Sequence, residues 1–192
     1  MSEEATEGTG LVTISKKAYI DYARHVLTYA SPKIPNPKDW KETMGLLVGR
    51  IVVGNIDVSE YIPFQVGTNY DVQFTYEDYV KMAALEPEFN TRNPPEFFVG
   101  WAHSHFIGHT YSGIDILNHL GWQNNLNPYA IGFVFDPHLI SEDNPGFCVL
   151  RLDNPELGEA SPIAKVNFII QIPKNDRRNY LEFLKKNLPD LI

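Results

Sequence analysis

Residues 100–115 read GWAHSHFIGHTYSGID, and this stretch is the most informative part of the chain. Its apolar first part is typical of a β-strand and ends on His103 and His105. Because side chains alternate along a strand, both imidazoles project from the same face. Ser112 and Asp115 have the Ser-x-x-Asp spacing of a helix start, with Ser112 at or near the N-cap. The loop between the two parts allows Asp115 to fold back towards the histidines.

These side chains suggest a metal site, although a simpler interpretation exists. Two imidazoles and one carboxylate form the ligand set of a catalytic zinc site with an open fourth position. That position holds a water, whose pKa zinc lowers towards about 7. However, an isolated His-x-His pair is more often two solvent-facing or hydrogen-bonded histidines, and Ser-x-x-Asp alone is usually a helix cap. From the residues alone, metal binding by His103, His105 and Asp115 is one of two open interpretations.

The composition is that of an ordinary globular domain. The chain has 192 residues, of which 43% are hydrophobic and 21% are charged, so it can build its own core. These values exclude a disordered chain, a collagen-like fibre and a long coiled coil. The 16 basic and 24 acidic residues give a net charge of −8. We therefore expect no nucleic-acid partner, and we expect the chain to attract a basic one.

The cysteine content and the N-terminal sequence indicate the cellular compartment. Cys148 is the single cysteine, so it can form neither an internal disulfide nor a thiolate metal site alone, and we expect it to be a small buried residue. Residues 1–10 are predicted to be a flexible tail without a signal peptide. No apolar stretch is long enough to cross a membrane. These features predict a cytoplasmic protein without a membrane partner.

The order of predicted elements indicates one α/β domain. It occupies residues 11–172 and is followed by a C-terminal helix in 173–192, which packs on the domain or serves assembly. An extended connector, a hairpin around Gly54-Asn55 and a loop over 87–96 are also expected. The predicted strands are 11–14, 44–53, 56–66, 97–105, 130–135, 146–152 and 164–172, the predicted helices are 15–30, 75–86, 112–126 and 173–188, and the connector is 31–38. This order does not say whether the sheet is parallel or mixed.

Several motifs together resemble the JAMM (MPN-plus) metalloprotease domain. Residues 42–49, ETMGLLVG, are similar to the Glu-x-Met-Gly-Leu-x-x-Gly segment of that family. The strand 99–105, the Ser-x-x-Asp spacing and the Asp136-Pro137 pair also match its pattern. The resemblance extends from about residue 11 to about residue 152. Within the family, the chain looks most like the proteasome-lid deubiquitinase subunit and its archaeal relatives.

The resemblance implies a fold and a set of residue roles. The fold would be a JAMM/MPN (cytidine-deaminase-like) α/β domain, with a curved mixed β-sheet flanked by helices. His103, His105 and Asp115 would bind one catalytic Zn²⁺. Glu42 would be the general acid/base that passes a proton from the attacking water to the leaving amine. Ser112 would help to stabilise the oxyanion.

The implied activity is that of a zinc isopeptidase that cleaves ubiquitin or a ubiquitin-like modifier from its conjugates. Possible partners besides these conjugates are the proteasome and a second MPN domain, as a homodimer or heterodimer. Two alternatives remain. The chain could be a non-catalytic MPN scaffold, or a JAMM amide hydrolase that acts on another substrate.

The loop between the two halves of the motif departs from the family pattern. It has six residues, 106–111, instead of the usual seven, and Phe106 stands where the family has proline. The shorter loop could tilt Asp115 or Ser112 away from the metal. Two further histidines have open roles. His109 is interpreted as a surface loop residue, and His119 as a helix-surface residue or, alternatively, a partner of the metal ligands. The tryptophans Trp40, Trp101 and Trp122 are expected to pack in the interior.

Overall fold

A computed structural model describes residues 10–192, so all but the last residue of the predicted tail 1–10 lies outside it. The chain alternates strands and helices around one eight-stranded sheet, as the predicted α/β class requires. The strands are β1 Val12–Ser15, β2 Thr43–Val52, β3 Asn55–Val66, β4 Phe97–Ser104, β5 Ile131–Phe135, β6 Phe147–Leu152, β7 Ile163–Lys165 and β8 Phe168–Gln171. The α-helices are α1 Lys16–Tyr29, α2 Tyr76–Asn90, α3 Gly113–Trp122 and α4 Tyr180–Asn187.

The sheet is mixed and its strands follow the order β7-β6-β5-β4-β2-β3-β1-β8. The pairs β1–β3, β1–β8 and β4–β5 are parallel, and the other neighbours are antiparallel. β2 and β4 lie in the middle, so the end of β4 is surrounded by other strands. The strand predicted over 44–53 is therefore a central one.

The two edge strands show that the sheet is strongly curved. Only residues 166 and 167 separate β7 from β8, although these strands lie at opposite edges. Such a link spans at most about 11 Å, whereas the edges of a flat eight-stranded sheet lie about 34 Å apart. Val166 N donates to Val149 O of β6, and Val12 N of β1 donates to Asn167 O. The prediction of one strand over 164–172 is therefore wrong, because this apolar run crosses from one edge to the other.

Alternation along β2 separates two cores, one on each face of the sheet. Leu47 faces the core formed with α1 and α4, and Leu46 faces the core formed with α2 and with residues next to α3. In the first core, the Tyr22 hydroxyl of α1 donates a hydrogen bond to the carbonyl of His103. Helix α1, which packs on the concave side of the sheet, is thus also hydrogen-bonded to β4, the strand that leads to the two histidines.

The helix starts predicted at residues 15 and 75 are confirmed. Ser15 Oγ accepts a hydrogen bond from Ala18 N at the start of α1. Thr75 caps α2 and forms a reciprocal capping box with Asp78. The hairpin between β2 and β3 also forms, but its turn residues are Val53 and Gly54, one position earlier than expected, and both have positive φ.

Several predicted boundaries are wrong. Helix α2 continues through Pro87 to Asn90, because Phe89 in its last turn is buried against Phe98 at a ring distance of 5.3 Å. Helix α3 ends at Trp122, because the backbone of Gln123 is extended, and the Gln123 side chain forms two hydrogen bonds with the backbone of Leu152. The C-terminal helix is shorter than predicted, and the connector 31–38 turns into a short 3-10 helix, Pro37–Asp39, instead of remaining extended.

Two further expectations concern Cys148 and membrane segments. Cys148 is buried, as predicted, and burial raises the pKa of its thiol to about 12. A thiol in such surroundings is unreactive at neutral pH. Within residues 10–192, none of the helices has both the length and the apolar character needed to cross a bilayer.

Candidate metal centre

Strand β4 positions the two histidines. His103 lies near the end of β4, and His105 follows the strand, where its backbone N–H donates to Phe135 O of β5 at 2.8 Å. Both side chains are buried, and the ring of His103 stacks on Trp101 with centroids 4.5 Å apart. The two imidazoles therefore share one face of the strand, as the sequence spacing predicts.

Asp115 is held by the first turn of α3. Ser112 N and Ser112 Oγ donate to Asp115 Oδ2 at 2.7 and 2.6 Å, and Asp115 N donates to Ser112 Oγ at 3.3 Å. This reciprocal capping box confirms the predicted N-cap and fixes the carboxylate at the helix N-terminus. The other oxygen, Oδ1, lies against His103, and Oδ2 also lies near His105.

The three side chains converge on one point. His103 Nε2 lies 3.2 Å from His105 Nε2 and 3.2 Å from Asp115 Oδ1, and His105 Nε2 lies 3.2 Å from Asp115 Oδ2. Tetrahedral zinc, with bonds of about 2.0–2.1 Å, separates its ligand atoms by about 3.3 Å. The buried Nδ1 atoms of both histidines have no hydrogen-bond partner within residues 10–192. The geometry and the donor types therefore fit a zinc ion.

Burial and mutual contacts set the charges of these groups. Burial lowers the pKa of His103 and acts in the same direction on His105, but the carboxylates of Asp115 and Glu42 raise the pKa of His105 above its usual value. Burial opposes ionisation of Asp115, yet hydrogen bonds from His103, His105 and Ser112 hold its pKa well below the ordinary range. The centre thus contains an ionised carboxylate and a neutral imidazole, which are the forms that bind a metal.

Glu42 lies just before β2, beside the same three residues. Its backbone N–H donates to Thr68 O at 2.7 Å, and its carbonyl accepts from Gly67 N at 2.8 Å. The residue is 8% exposed, and burial raises the pKa of its carboxyl to about 7, reinforced by Asp115 and opposed by His105. Its carboxyl has no hydrogen bond to another side chain in the described part of the chain. A carboxyl with a near-neutral pKa can both accept and return a proton.

A cavity of about 400 Å³ opens over the three candidate metal ligands and Glu42. Its wall includes Trp40, whose ring lies 5.5 Å from Phe106 and 4.8 Å from His138. Trp40 Nε1 donates to the carbonyl of Ile34. The residues that line this cavity are Pro37, Lys38, Trp40, Glu42, Asn69, Tyr70, Asp71, Val72, His103, His105, Phe106, Ile107, Ser112, Ile114, Asp115 and His138.

Comparison with known families matches this architecture. The family model described as JAB1/Mov34/MPN/PAD-1 ubiquitin protease matches residues 9–125, which is more than half of the chain. The chain belongs to this family. No match is found among curated proteins. The matched segment contains Glu42, the two histidines, Ser112 and Asp115. The fold is therefore that of an MPN/JAMM domain, as the sequence motifs imply. The family includes isopeptidases of the JAMM type, and MPN domains can also be inactive.

His119 in this MPN/JAMM domain is fully buried, so its interpretation as a helix-surface residue is wrong. Trp101 Nε1 donates to His119 Nδ1 at 3.0 Å, and His119 Nε2 donates to Gln123 Oε1 at 3.0 Å. Burial lowers the pKa of His119 to about 4, so the ring is neutral. Because Trp101 stacks on His103, His119 supports a metal-site histidine through one intermediate side chain.

The shortened loop of the domain is fastened at two points. Gly108 N donates to Asp136 Oδ2 at 2.8 Å, with Gly108 in a positive-φ conformation. His109 is half-buried and hydrogen-bonds through Nε2 to the carbonyl of Gly146, away from the cavity. The six-residue spacer therefore still brings Asp115 into contact with both histidines. The sequence drew attention to Asp136 only as part of a motif, and it gave no signal for His138.

Proposed function

We propose that this chain is a zinc-dependent isopeptidase that removes ubiquitin or a ubiquitin-like modifier from its conjugates. The proposal is supported most by the convergence of the ligand atoms of His103, His105 and Asp115, with Glu42 beside them in one cavity. Two imidazoles and a carboxylate suit zinc and leave an open position for a reactant. Inactive MPN scaffolds usually lack these ligands, so the complete set favours an enzyme.

Glu42 transfers the proton in this mechanism. When bound by His103, His105 and Asp115, zinc would polarise the scissile carbonyl and lower the pKa of a water, so that the water could attack as it loses a proton. The Glu42 carboxylate accepts a proton from that water and then delivers it to the leaving amine. Its backbone hydrogen bonds to residues 67 and 68 hold it at the cavity, and its carboxyl has no competing hydrogen bond to any residue in 10–192.

Ser112 has two roles in succession. In the resting protein its hydroxyl donates to Asp115 Oδ2, which is the capping arrangement. A hydroxyl has one hydrogen, so it must turn away from Asp115 in order to donate to the oxyanion of the tetrahedral intermediate. The backbone N–H of Ser112 keeps its own hydrogen bond to Oδ2, so the carboxylate remains oriented during this change.

The substrate and partners are part of the same proposal. The tail of the modifier lies extended along the cavity, and the net charge of −8 favours a modifier with a basic face. The motif around Glu42 favours the proteasome-lid branch of the family, so the proteasome and a second MPN domain are candidate partners. A cytoplasmic location agrees with the unpaired Cys148.

The test is cleavage of ubiquitin joined by an isopeptide bond to a fluorescent lysine peptide. The zinc-loaded chain cleaves it, and a chelator abolishes the activity. Glu42→Gln lowers kcat by about 10²- to 10⁴-fold, the usual contribution of a general acid/base. The matched control is Glu86→Gln, which makes the same change at an exposed residue of α2 outside the cavity, and its kcat stays close to that of the wild type.

Two results would reject the proposal in different ways. A zinc-loaded wild-type chain that binds the conjugate without cleaving it would favour the scaffold alternative. An unchanged rate for Glu42→Gln in an active enzyme would show that the proposed proton transfer is wrong, although the chain would still be a hydrolase.

A further inference from the structure

His138, at the rim of the cavity, is half-exposed, yet its side chain is held in one orientation. His138 lies in the 3-10 turn Pro137–Leu139 after β5, and its side chain is 49% exposed. Its Nδ1 lies 3.0 Å from Asp136 Oδ1, which also accepts the backbone N–H of His138 at 2.9 Å. Asp136 itself is 3% exposed and is fixed from its other oxygen by Gly108 N. A buried carboxylate therefore anchors this half-exposed ring.

Trp40 restrains the same ring from a second direction. The two ring centroids are 4.8 Å apart with an interplanar angle of 32°, and Trp40 also contacts Phe106, the residue after His105. An unrestrained surface histidine keeps its rotamer freedom and loses it only when it binds a ligand. The His138 ring has already lost this conformational entropy when the protein folds. Binding therefore costs less side-chain entropy, and the ring is preorganised for a ligand.

These contacts determine which ring atom faces a ligand. An ionised carboxylate only accepts hydrogen bonds, so His138 Nδ1 carries the proton that is shared with Asp136. In the neutral ring, Nε2 is then an acceptor, and it has no hydrogen bond to any residue in 10–192. Because His138 lines the cavity, Nε2 is available to a donor that enters it. Trp40 and Phe106 add a flat apolar surface next to this acceptor.

We propose that His138 is a substrate-binding residue that accepts a hydrogen bond from a main-chain N–H of the substrate. This inference rests on the proposed isopeptidase function, in which the substrate enters the cavity as an extended polypeptide. Such a segment has N–H groups without internal partners, and burial in the cavity makes an acceptor necessary. His138 Nε2 offers such an acceptor at the rim, on a ring that Asp136 and Trp40 already hold in place.

The experiment compares the steady-state kinetics of zinc-loaded full-length variants on the ubiquitin–lysine peptide conjugate. His138→Ala raises KM about three- to tenfold, as expected for loss of one hydrogen bond, and changes kcat less than about twofold. His138→Gln keeps an acceptor at similar reach and recovers at least half of this loss on a logarithmic scale. Leu139→Ala, in the same turn but outside the cavity, leaves both constants unchanged.

Each outcome bears on the inference. If the wild type is active and His138→Ala has a wild-type KM, the inference is wrong and the isopeptidase function stands. A fall in kcat at constant KM would also overturn it, because His138 would then act in the chemical step. If the zinc-loaded wild type does not cleave the conjugate, the proposed function fails and the inference fails with it. Melting curves for both His138 variants ensure that folded proteins are compared.

Discussion

Removing the charge of Glu42 is expected to stabilise the metal-free protein at high pH. Burial raises the pKa of this carboxyl from 4.5 to about 7 in the folded state. Between these two pH values the folded chain keeps a proton that the unfolded chain has lost. Stability therefore falls as the pH rises, by about 1.4 kcal/mol per pH unit for one group. Over the whole window this group lowers the free energy of unfolding by at most about 3 kcal/mol.

Glu42→Gln removes this titration while nearly keeping the size of the side chain. At pH 4.5 the two metal-free proteins have free energies of unfolding within about 0.5 kcal/mol of each other, since the carboxyl is protonated in the folded wild type. At pH 8 the variant is more stable by about 2–3 kcal/mol, because the wild type then carries a buried carboxylate. Urea unfolding of chelator-treated protein at the two pH values measures this difference.

Two controls separate this effect from other consequences of the substitution. Glu86→Gln removes an exposed negative charge from α2 and leaves the pH dependence of stability close to that of the wild type. Saturating zinc reduces the advantage of Glu42→Gln, because a cation beside the carboxylate favours its ionised form. Equal stabilities of variant and wild type at pH 8, or a difference that grows as the pH falls, would refute the reasoning.

Four further substitutions, of which Gly121→Ala is the control for Gly100→Ala, test the structure around the site. Ser112→Ala removes the cap of α3 and lowers the free energy of unfolding by about 1 kcal/mol in urea titrations, and it lowers kcat as well. Trp101→Phe removes the indole donor of the buried His119 Nδ1 but leaves the Tyr111 hydroxyl 3.2 Å from it, so calorimetry should show a loss of about 0.5–1.5 kcal/mol for this hydrogen bond. Gly100→Ala places a Cβ 1.9 Å from a carbonyl of β5 and should cost about 3 kcal/mol or more, whereas Gly121→Ala meets no atom within 4 Å and should stabilise α3 by up to about 1 kcal/mol.

Control variants separate the specific effects of Ser112→Ala and Trp101→Phe from a general loss of stability. Thr75→Ala removes the equivalent cap of α2, so it should destabilise the protein like Ser112→Ala but leave kcat unchanged. If both variants lose the same activity, Ser112 is only a cap. Trp122→Phe removes an indole for which no hydrogen bond is present in the described part of the chain, so its cost should be smaller. Equal losses for the two tryptophans would contradict the role given to the Trp101 hydrogen bond.

The parts of the site that could be predicted from the sequence depend on local geometry. Alternation along one strand places His103 and His105 on the same face, and a capping box places Asp115 one turn into a helix. Both rules act over a few residues, so spacing is sufficient to apply them. The loop that joins the two halves needed only to be long enough, and Gly108 with its bond to Asp136 shows how six residues are sufficient.

The parts that could not be predicted depend on contacts between distant segments. The polar and exposed Asn167 lies where the run 164–172 divides between the two sheet edges. A polar residue at this place also fits one alternating strand, so the local pattern does not show the crossing. His119 is buried because Trp101, eighteen residues earlier, offers it an indole N–H. Trp40 and His138 meet only when the segment before β2 and the turn after β5 come together.

Zinc stoichiometry tests the metal centre most directly. Full-length protein is incubated with excess zinc, passed through a desalting column and measured by elemental analysis. The wild type should retain about one zinc ion per chain, and His103→Ala and Asp115→Ala should each retain less than about a tenth of that amount. His109 lies in the loop 106–111, between the metal-site residues but outside the cavity, so His109→Ala should bind zinc like the wild type. A wild-type chain without zinc, or a folded His103→Ala chain with a full complement, would contradict the account.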